Sequence, residues 1–407
     1  MNAVTSMGPV KMIESSRLGT GEPPAFLSPE LLGGVQIFHS SIPGYTRTPL
    51  HELSGYAQKT GVRSVLVKDE SERFGLKAFK GLGGTYAVFR VICEELGLDP
   101  KETTLDTLKS SPYQDRVSKM VFVTTTDGNH GKGVAWASGL LGCKSHVYMP
   151  RGSVEARAQA IRDAGQAEVT ITDLPYDDCV RYTAELAEKN HWYLVQDTSW
   201  PGYEKIPQWI IQGYTTMVGE AVCQMREKGY TRPTHVFLQA GVGAMAGGVL
   251  GALTHIYKGE LPVVSIVEPE EVACVFESAR QDDGEAHKAT GSEITIMAGL
   301  NCAEPCTITW PILRDFASCY FACADGVAAH GMRRYARPEA GDPAVVSGES
   351  GAVTMGLLSL LLESKEMAPV RKKLGLDENS VILLFNTEGD TDPENYKRIV
   401  EDGEYPL

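Results

Sequence analysis

From about Arg63 onward, short apolar runs alternate with longer segments whose apolar positions recur at helical spacing. Runs without polar alternation suit strands buried on both faces and joined by crossover helices. The pattern predicts strands at 62–67, 120–124, 145–149, 169–171, 193–195, 236–238, 263–267 and 382–385. It predicts helices at 131–141, 154–164, 206–227 and 244–256, and a short buried helix around 353–362. This is a multi-strand α/β protein. Open parallel sheets take ligands at the carboxyl ends of their strands. Four segments of unusual composition fall at such ends: 79–84, 125–131, 239–248 and 386–392.

A chain of 407 residues, 43% of them hydrophobic, can bury a sizeable core and divide into more than one packed unit. Its net charge of -14 argues against a phosphate-backbone surface, so no nucleic-acid partner is expected and small molecules are. No stretch approaches the roughly 20 apolar residues that span a bilayer, so no membrane partner is expected. Residues 1–24 carry Lys11 and Arg17 but no apolar core of a secretory signal, and read as a partly ordered leader of a cytoplasmic protein.

Nine cysteines without C-x-x-C pairs suit a reducing compartment. Cys302, Cys306, Cys319 and Cys323 form two C-x-x-x-C pairs at a spacing that zinc ribbons also use. Apolar neighbours favour buried thiols there, and no metal is expected. A lone disulfide of Cys274 with Cys302 stays open. The acidic stretch 281–293 reads as a mobile surface loop, and Glu72/Arg73 and Arg333/Arg334 read as solvated charge.

The loop 239–248 follows a strand and opens a helix. Its small residues Gly241, Val242, Gly243, Ala244 and Met245 would let backbone N–H groups reach a phosphate at the helix N-terminus. It lacks the G-K-[ST] of a P-loop and fits G-x-G-x-x-G poorly. Tight strand-to-helix packing accounts for it equally well.

The string Lys68-Asp69-Glu70 through Phe79-Lys80-Gly81-Leu82-Gly83-Gly84 resembles the Schiff-base lysine segment of pyridoxal 5'-phosphate (PLP) enzymes related to threonine dehydratase and tryptophan synthase β. Thr125-Thr126-Asp127-Gly128-Asn129-His130-Gly131 resembles their ring-binding segment. An Asp at position 127, where dehydratases carry a small or hydroxyl residue, is characteristic of the diaminopropionate ammonia-lyases. The resemblance to that family runs from about 38 to 400. It includes Pro43-Gly44-Tyr45, Thr48-Pro49-Leu50, Gln196-Asp197-Thr198-Ser199-Trp200, Gly202-Tyr203-Glu204, Ser347-Gly348-Glu349-Ser350-Gly351-Ala352 and Thr387-Glu388-Gly389-Asp390-Thr391-Asp392. It departs at Asn386, where Ser is expected, and at Gly81, where a bulkier residue is usual.

The resemblance implies PLP fold type II: two open, twisted, mostly parallel sheets flanked by helices, with the cofactor in the cleft between a large and a small domain. Residues 1–85 with 206–407 would form the large PLP-binding domain and 86–205 the small mobile one. It implies a homodimer acting on a small-molecule amino acid, eliminating ammonia from D- and L-2,3-diaminopropionate through aminoacrylate to pyruvate and a second ammonia.

Phe79 and Lys80, Asn129, the loop 241–245 and Thr387 would then bind PLP. Asn129 would meet the ring 3'-oxygen and Thr387 the pyridine nitrogen. Thr126, Asp127, Gly128, His130 and Glu349 would bind substrate. Lys80 and Asp127 would be bases on opposite faces of Cα, and Asp197, alternatively a turn or N-cap residue, would assist the leaving amine. Glu349 reads equally as an exposed acid at the start of a helix.

Three other activities share the cofactor: a serine or threonine dehydratase, a β-replacement synthase and an amino-acid racemase. A catalytically dead regulatory protein of the same fold is a rival from another class; Lys80 and Asn129, both intact, argue against it.

Overall fold

The computed structural model describes every residue except Asp127, and the side chain of Asp177 also falls outside the description. Its strands are β1 (Thr5–Met7), β2 (Val10–Glu14), β3 (Leu50–Glu52), β4 (Ser64–Asp69), β5 (Val121–Thr125), β6 (Lys144–Met149), β7 (Glu168–Ile171), β8 (Tyr193–Leu194), β9 (His235–Gln239), β10 (Val263–Pro269), β11 (Cys319–Cys323) and β12 (Val381–Asn386). Among the described residues these form two sheets, in the orders β1-β2-β11-β10-β9-β12-β4-β3 and β7-β6-β5-β8. The chain folds as two compact units, one of Met1–Ser28, Arg47–Ala78 and Met217–Leu407, the other of Pro29–Thr46 and Phe79–Thr216.

In the first unit the five strands β11, β10, β9, β12 and β4 run parallel, and antiparallel edges β1, β2 and β3 flank them. Val65, Val236, Leu238, Ile266, Phe321, Leu383 and Leu384 are fully buried, as expected of strands covered on both faces. Helices Asp325–Ala336 and Glu349–Glu363 cross with backbones touching: a Cβ on Gly331 would fall 2.0 Å from the Ala352 carbonyl, and one on Gly356 1.9 Å from that of Val327. The predicted strands here are all present. Residues 10–14, expected to belong to a partly ordered leader, are instead a sheet strand: Val10 and Ile13 are buried, because β2 pairs with β11 from Val10↔Cys323 to Glu14↔Cys319. Cys319 and Cys323 are therefore sheet residues, buried on one face of a strand.

Arg73 is likewise no solvated charge. It is 1% exposed and donates to Glu70 Oε2 at 2.8 Å and to both Glu220 oxygens at 2.8 and 2.9 Å. Lys68, also fully buried, donates to Glu220 at 2.5 Å and to the Thr48 carbonyl at 2.7 Å. Two cations face two carboxylates here, which is what allows such charges to be buried.

In the second unit all strands run parallel. The helix Lys80–Leu96 is clamped by glycines on two sides. A Cβ on Gly133, in the helix Asn129–Leu141, would lie 2.9 Å from the Lys80 carbonyl; one on Gly213 would lie 2.5 Å from that of Leu82. His39 bridges Thr216 Oγ1 at 2.7 Å and the Leu82 carbonyl at 3.0 Å. The first turn carrying Lys80 is thereby fixed before its side chain does anything.

Candidate active site

In the second unit, parallel pairing brings the carboxyl ends of β5 and β8 side by side although some 70 residues separate them. The chain leaving β5 folds back through Thr126, whose Oγ1 accepts from the Gly128 and Gly131 N–H groups at 3.0 and 3.2 Å. A side chain on Gly131 would strike Thr126 Cγ2 at 2.3 Å, so glycine is required for that turn. Asn129 then starts the helix Asn129–Leu141, half-buried. Asp127 lies outside the described residues.

The chain leaving β8 is anchored residue by residue. Val195 accepts from His130 Nε2 at 2.7 Å. The Gln196 side-chain oxygen accepts from Thr124 Oγ1 and the Thr125 N–H at 3.1 and 3.0 Å, and its own N–H donates to Tyr203 Oη at 2.8 Å. Tyr203 in turn donates to the Leu194 carbonyl at 2.9 Å. These contacts deliver Asp197, whose carboxylate accepts from Lys80 Nζ and stands 3.7 Å from His130 Nδ1. Lys80, at the first position of its helix, passes over the rings of Phe79 and Tyr214, 5.4 and 5.9 Å from their centres. The structure thus unites Phe79, Lys80, His130 and Asp197, with Thr126 and Gly128 shaping the adjoining turn. Gln196 and Tyr203 belonged to quoted motifs, but no side-chain role was read from them.

Burial is the largest influence on Asp197 and would raise its carboxyl; the charges of His130 and Lys80, with the Lys80 hydrogen bond, outweigh it and hold the group at about 2. Burial likewise dominates at His130 and lowers it, so the ring is neutral at pH 7. Lys80 is then the cation that matters to Asp197. Because Nε2 donates to Val195, the neutral ring carries its lone pair on Nδ1, which has no hydrogen-bond partner among the described residues. A lone pair beside a carboxylate is a site ready to share a proton.

In the first unit, Gly241, Val242 and Gly243 join β9 to the helix Ala244–Tyr257, whose first N–H groups have no intrahelical acceptor. Val242 is pinned by the Cys306 N–H at 2.7 Å. Gly243 is left-handed, with φ +88°, and a Cβ on Gly247 would fall 2.4 Å from Thr309. A 14-residue helix opened by such a concave small-residue loop fits a phosphate. Thr387, just past β12, is buried and accepts from Gln239 Nε2 at 2.9 Å.

Glu349 is not the exposed acid expected: it is 8% exposed and accepts from Asn395 Nδ2, because Ser350 and the rest of its helix are packed inward. Burial, then the nearby Glu388, push its carboxyl up to about 7.

Each unit by itself carries features that PLP requires: the second a lysine held at a helix start, the first a phosphate-shaped loop and a buried hydroxyl. A family model described as pyridoxal-phosphate dependent enzyme matches residues 42–373. The chain is 46% identical over 388 residues to a diaminopropionate ammonia-lyase of Salmonella typhimurium, covering 95% of this chain and 96% of that one. It is 46% identical over 395 residues to the diaminopropionate ammonia-lyase of Escherichia coli K12, 97% of each. Among solved structures, holo diaminopropionate ammonia lyase from Escherichia coli has a TM-score of 0.92 at 44% identity over 99% of both chains. The same enzyme with an aminoacrylate-PLP azomethine reaction intermediate has a TM-score of 0.89 at 44% identity, covering 99% of this chain and 100% of that one. Tomato threonine deaminase isoform 2, at 18% identity and TM-score 0.73, shares the fold. This chain belongs to the pyridoxal-phosphate dependent enzymes of fold type II and, within them, to the diaminopropionate ammonia-lyases.

Proposed function

We propose that this enzyme converts 2,3-diaminopropionate, in both D and L forms, to pyruvate and two ammonia with one water consumed. The Lys80–Asp197 pair beside a neutral His130 carries the reading, because the reaction must take a proton from Cα and hold a β-ammonium while it leaves as ammonia. PLP, when bound, supplies the electron sink at Cα.

Lys80 holds the cofactor and, once displaced by substrate, serves as base on one face of Cα. Asp127 is the base for the other enantiomer. The Asp197 carboxylate, ionised beside a neutral His130, binds the β-ammonium, which takes the C–N bonding pair and leaves as ammonia with the three hydrogens it already carries. Asn129 holds the ring 3'-oxygen, and the N–H groups of 241–245 hold the phosphate. Thr126, Gly128, His130 and the buried acid Glu349 bind substrate. Thr387 meets the ring nitrogen. No described helix is long and apolar enough to cross a membrane; the enzyme is read as a cytoplasmic homodimer.

The test is release of pyruvate and ammonia from D- and L-2,3-diaminopropionate, beside D- and L-serine and L-threonine, with wild type and Asp127→Asn. Two ammonia per pyruvate from diaminopropionate, with one enantiomer lost in the variant, supports the reading. Turnover confined to serine or threonine, or racemisation alone, overturns it.

A further inference from the structure

Gln239 ends β9 and is 1% exposed. Its side-chain amide has two N–H donors and both are committed, one to the Phe385 carbonyl at 2.8 Å and one to Thr387 Oγ1 at 2.9 Å. The carbonyl has no hydrogen to give, so exchanging the amide oxygen and nitrogen would set oxygen against oxygen. That contact fixes which way the amide faces. The cost is visible: Gln239 Oε1 is buried without a donor among the described residues. A fold that retains this orphan oxygen retains the donated bond to Thr387 with it.

A hydroxyl that accepts at its oxygen keeps its single hydrogen for another partner. We propose that Gln239 is a positioning residue that makes Thr387 a hydrogen-bond donor, and so holds the ring nitrogen of bound PLP unprotonated. A donor O–H pairs with the lone pair of a neutral pyridine nitrogen and opposes an N–H+ there. A neutral ring is the weaker electron sink, which favours prompt loss of the β-amine over reprotonation at Cα. The inference rests on the reading that Thr387 meets that nitrogen.

The test uses full-length enzyme reconstituted with PLP carrying 15N at the ring nitrogen, its signal read by NMR alongside the PLP dissociation constant. Wild type is expected to stay in the unprotonated range across neutral pH. Gln239→Glu offers only an oxygen to Thr387 whether its carboxyl is ionised or gives its proton to Phe385. Thr387 then turns its hydrogen inward, and the signal is expected to move toward the protonated range. Gln239→Met, which removes the donor without adding charge, is the arm to read if the first variant fails to fold; its ring nitrogen is expected to titrate with pH. A loaded, folded Gln239→Glu or Gln239→Met with the wild-type signal at every pH overturns the proposal. Thr387→Ala separates the two readings. If it too leaves the signal unmoved, Thr387 does not meet the nitrogen and both fall; if it alone moves the signal, only the role of Gln239 falls.

Discussion

Replacing Asp197 with Asn keeps the shape of the side chain and removes the charge that faces Lys80. In the folded protein the Asp197 carboxyl sits at about 2, against an ordinary 3.8. At about 1.36 kcal/mol per tenfold, the depression corresponds to at most about 2.5 kcal/mol, and to less at pH 7, where His130 is neutral and Lys80 alone faces the carboxylate. Its pKa is depressed, so this stability is fully present above about pH 3.8 and is lost as the pH falls through about 2. The PLP-free enzyme, in which Lys80 keeps its own ammonium group paired with Asp197, is the species to test, by urea unfolding followed through tryptophan fluorescence. Trp136, Trp192, Trp200 and Trp209 all lie in the unit that contains the pair, and Trp310 alone lies in the other, so the signal reports the right unit. Asp197→Asn is expected to be less stable than wild type by about 1–2 kcal/mol at pH 7, with the gap closing toward pH 2. A gap below about 0.5 kcal/mol at pH 7, within the range of an ordinary surface change, or one that widens in acid, would refute the reasoning.

Gly133→Ala puts a Cβ 2.9 Å from the Lys80 carbonyl and is expected to shift the lysine enough to lower kcat on diaminopropionate by about 10- to 100-fold, while circular dichroism stays native. Arg73→Met leaves Glu70 and Glu220 buried without their shared cation and is expected to cost about 3–5 kcal/mol in thermal unfolding; a loss under about 1 kcal/mol would contradict the network. Glu349, raised to about 7 from 4.5, contributes stability below about pH 4.5 that is lost as the pH rises through about 7. Glu349→Gln is therefore expected to match wild type at pH 4 and to exceed it in melting temperature at pH 8.

The parallel strands β4, β9, β10 and β12 were legible because each is a run of mostly apolar residues bounded by turns, and burial on both faces demands that composition. Three kinds of feature were not. β2 precedes the alternating part of the chain, and its Val10, Met12 and Ile13, broken by Lys11, lie between β1 and β11 on antiparallel pairings that the strand-and-crossover pattern does not mark. β11 reads Cys-Tyr-Phe-Ala-Cys, and its cysteines drew attention to metal spacing, whereas on a strand residues four apart lie on one face and are simply buried. Arg73 looked solvated beside Glu72; its partners Glu70 and Glu220 are 3 and 147 residues away, and only the latter distance, invisible to local pattern, explains its burial.

The site residues illustrate why motif strings succeed where periodicity is silent. In a parallel sheet every strand ends at the same edge, so Thr125 and Gln196, or Gln239 and Thr387, become neighbours however much chain intervenes. Nothing within either segment encodes that meeting. What the segments do encode is the residue that each edge position needs. Asn386, the departure from an expected Ser, shows the limit of this: its amide donates to Asp69 Oδ1 at 2.8 Å and to the Val346 carbonyl at 3.0 Å, and a serine, with one hydrogen, could serve only one of them. Asn386 ties the end of β12 to the end of β4, and Thr387, the next residue, leaves the strand from that anchored point. The substitution that looked like a weakness in the resemblance is a second brace on the hydroxyl that Gln239 aims.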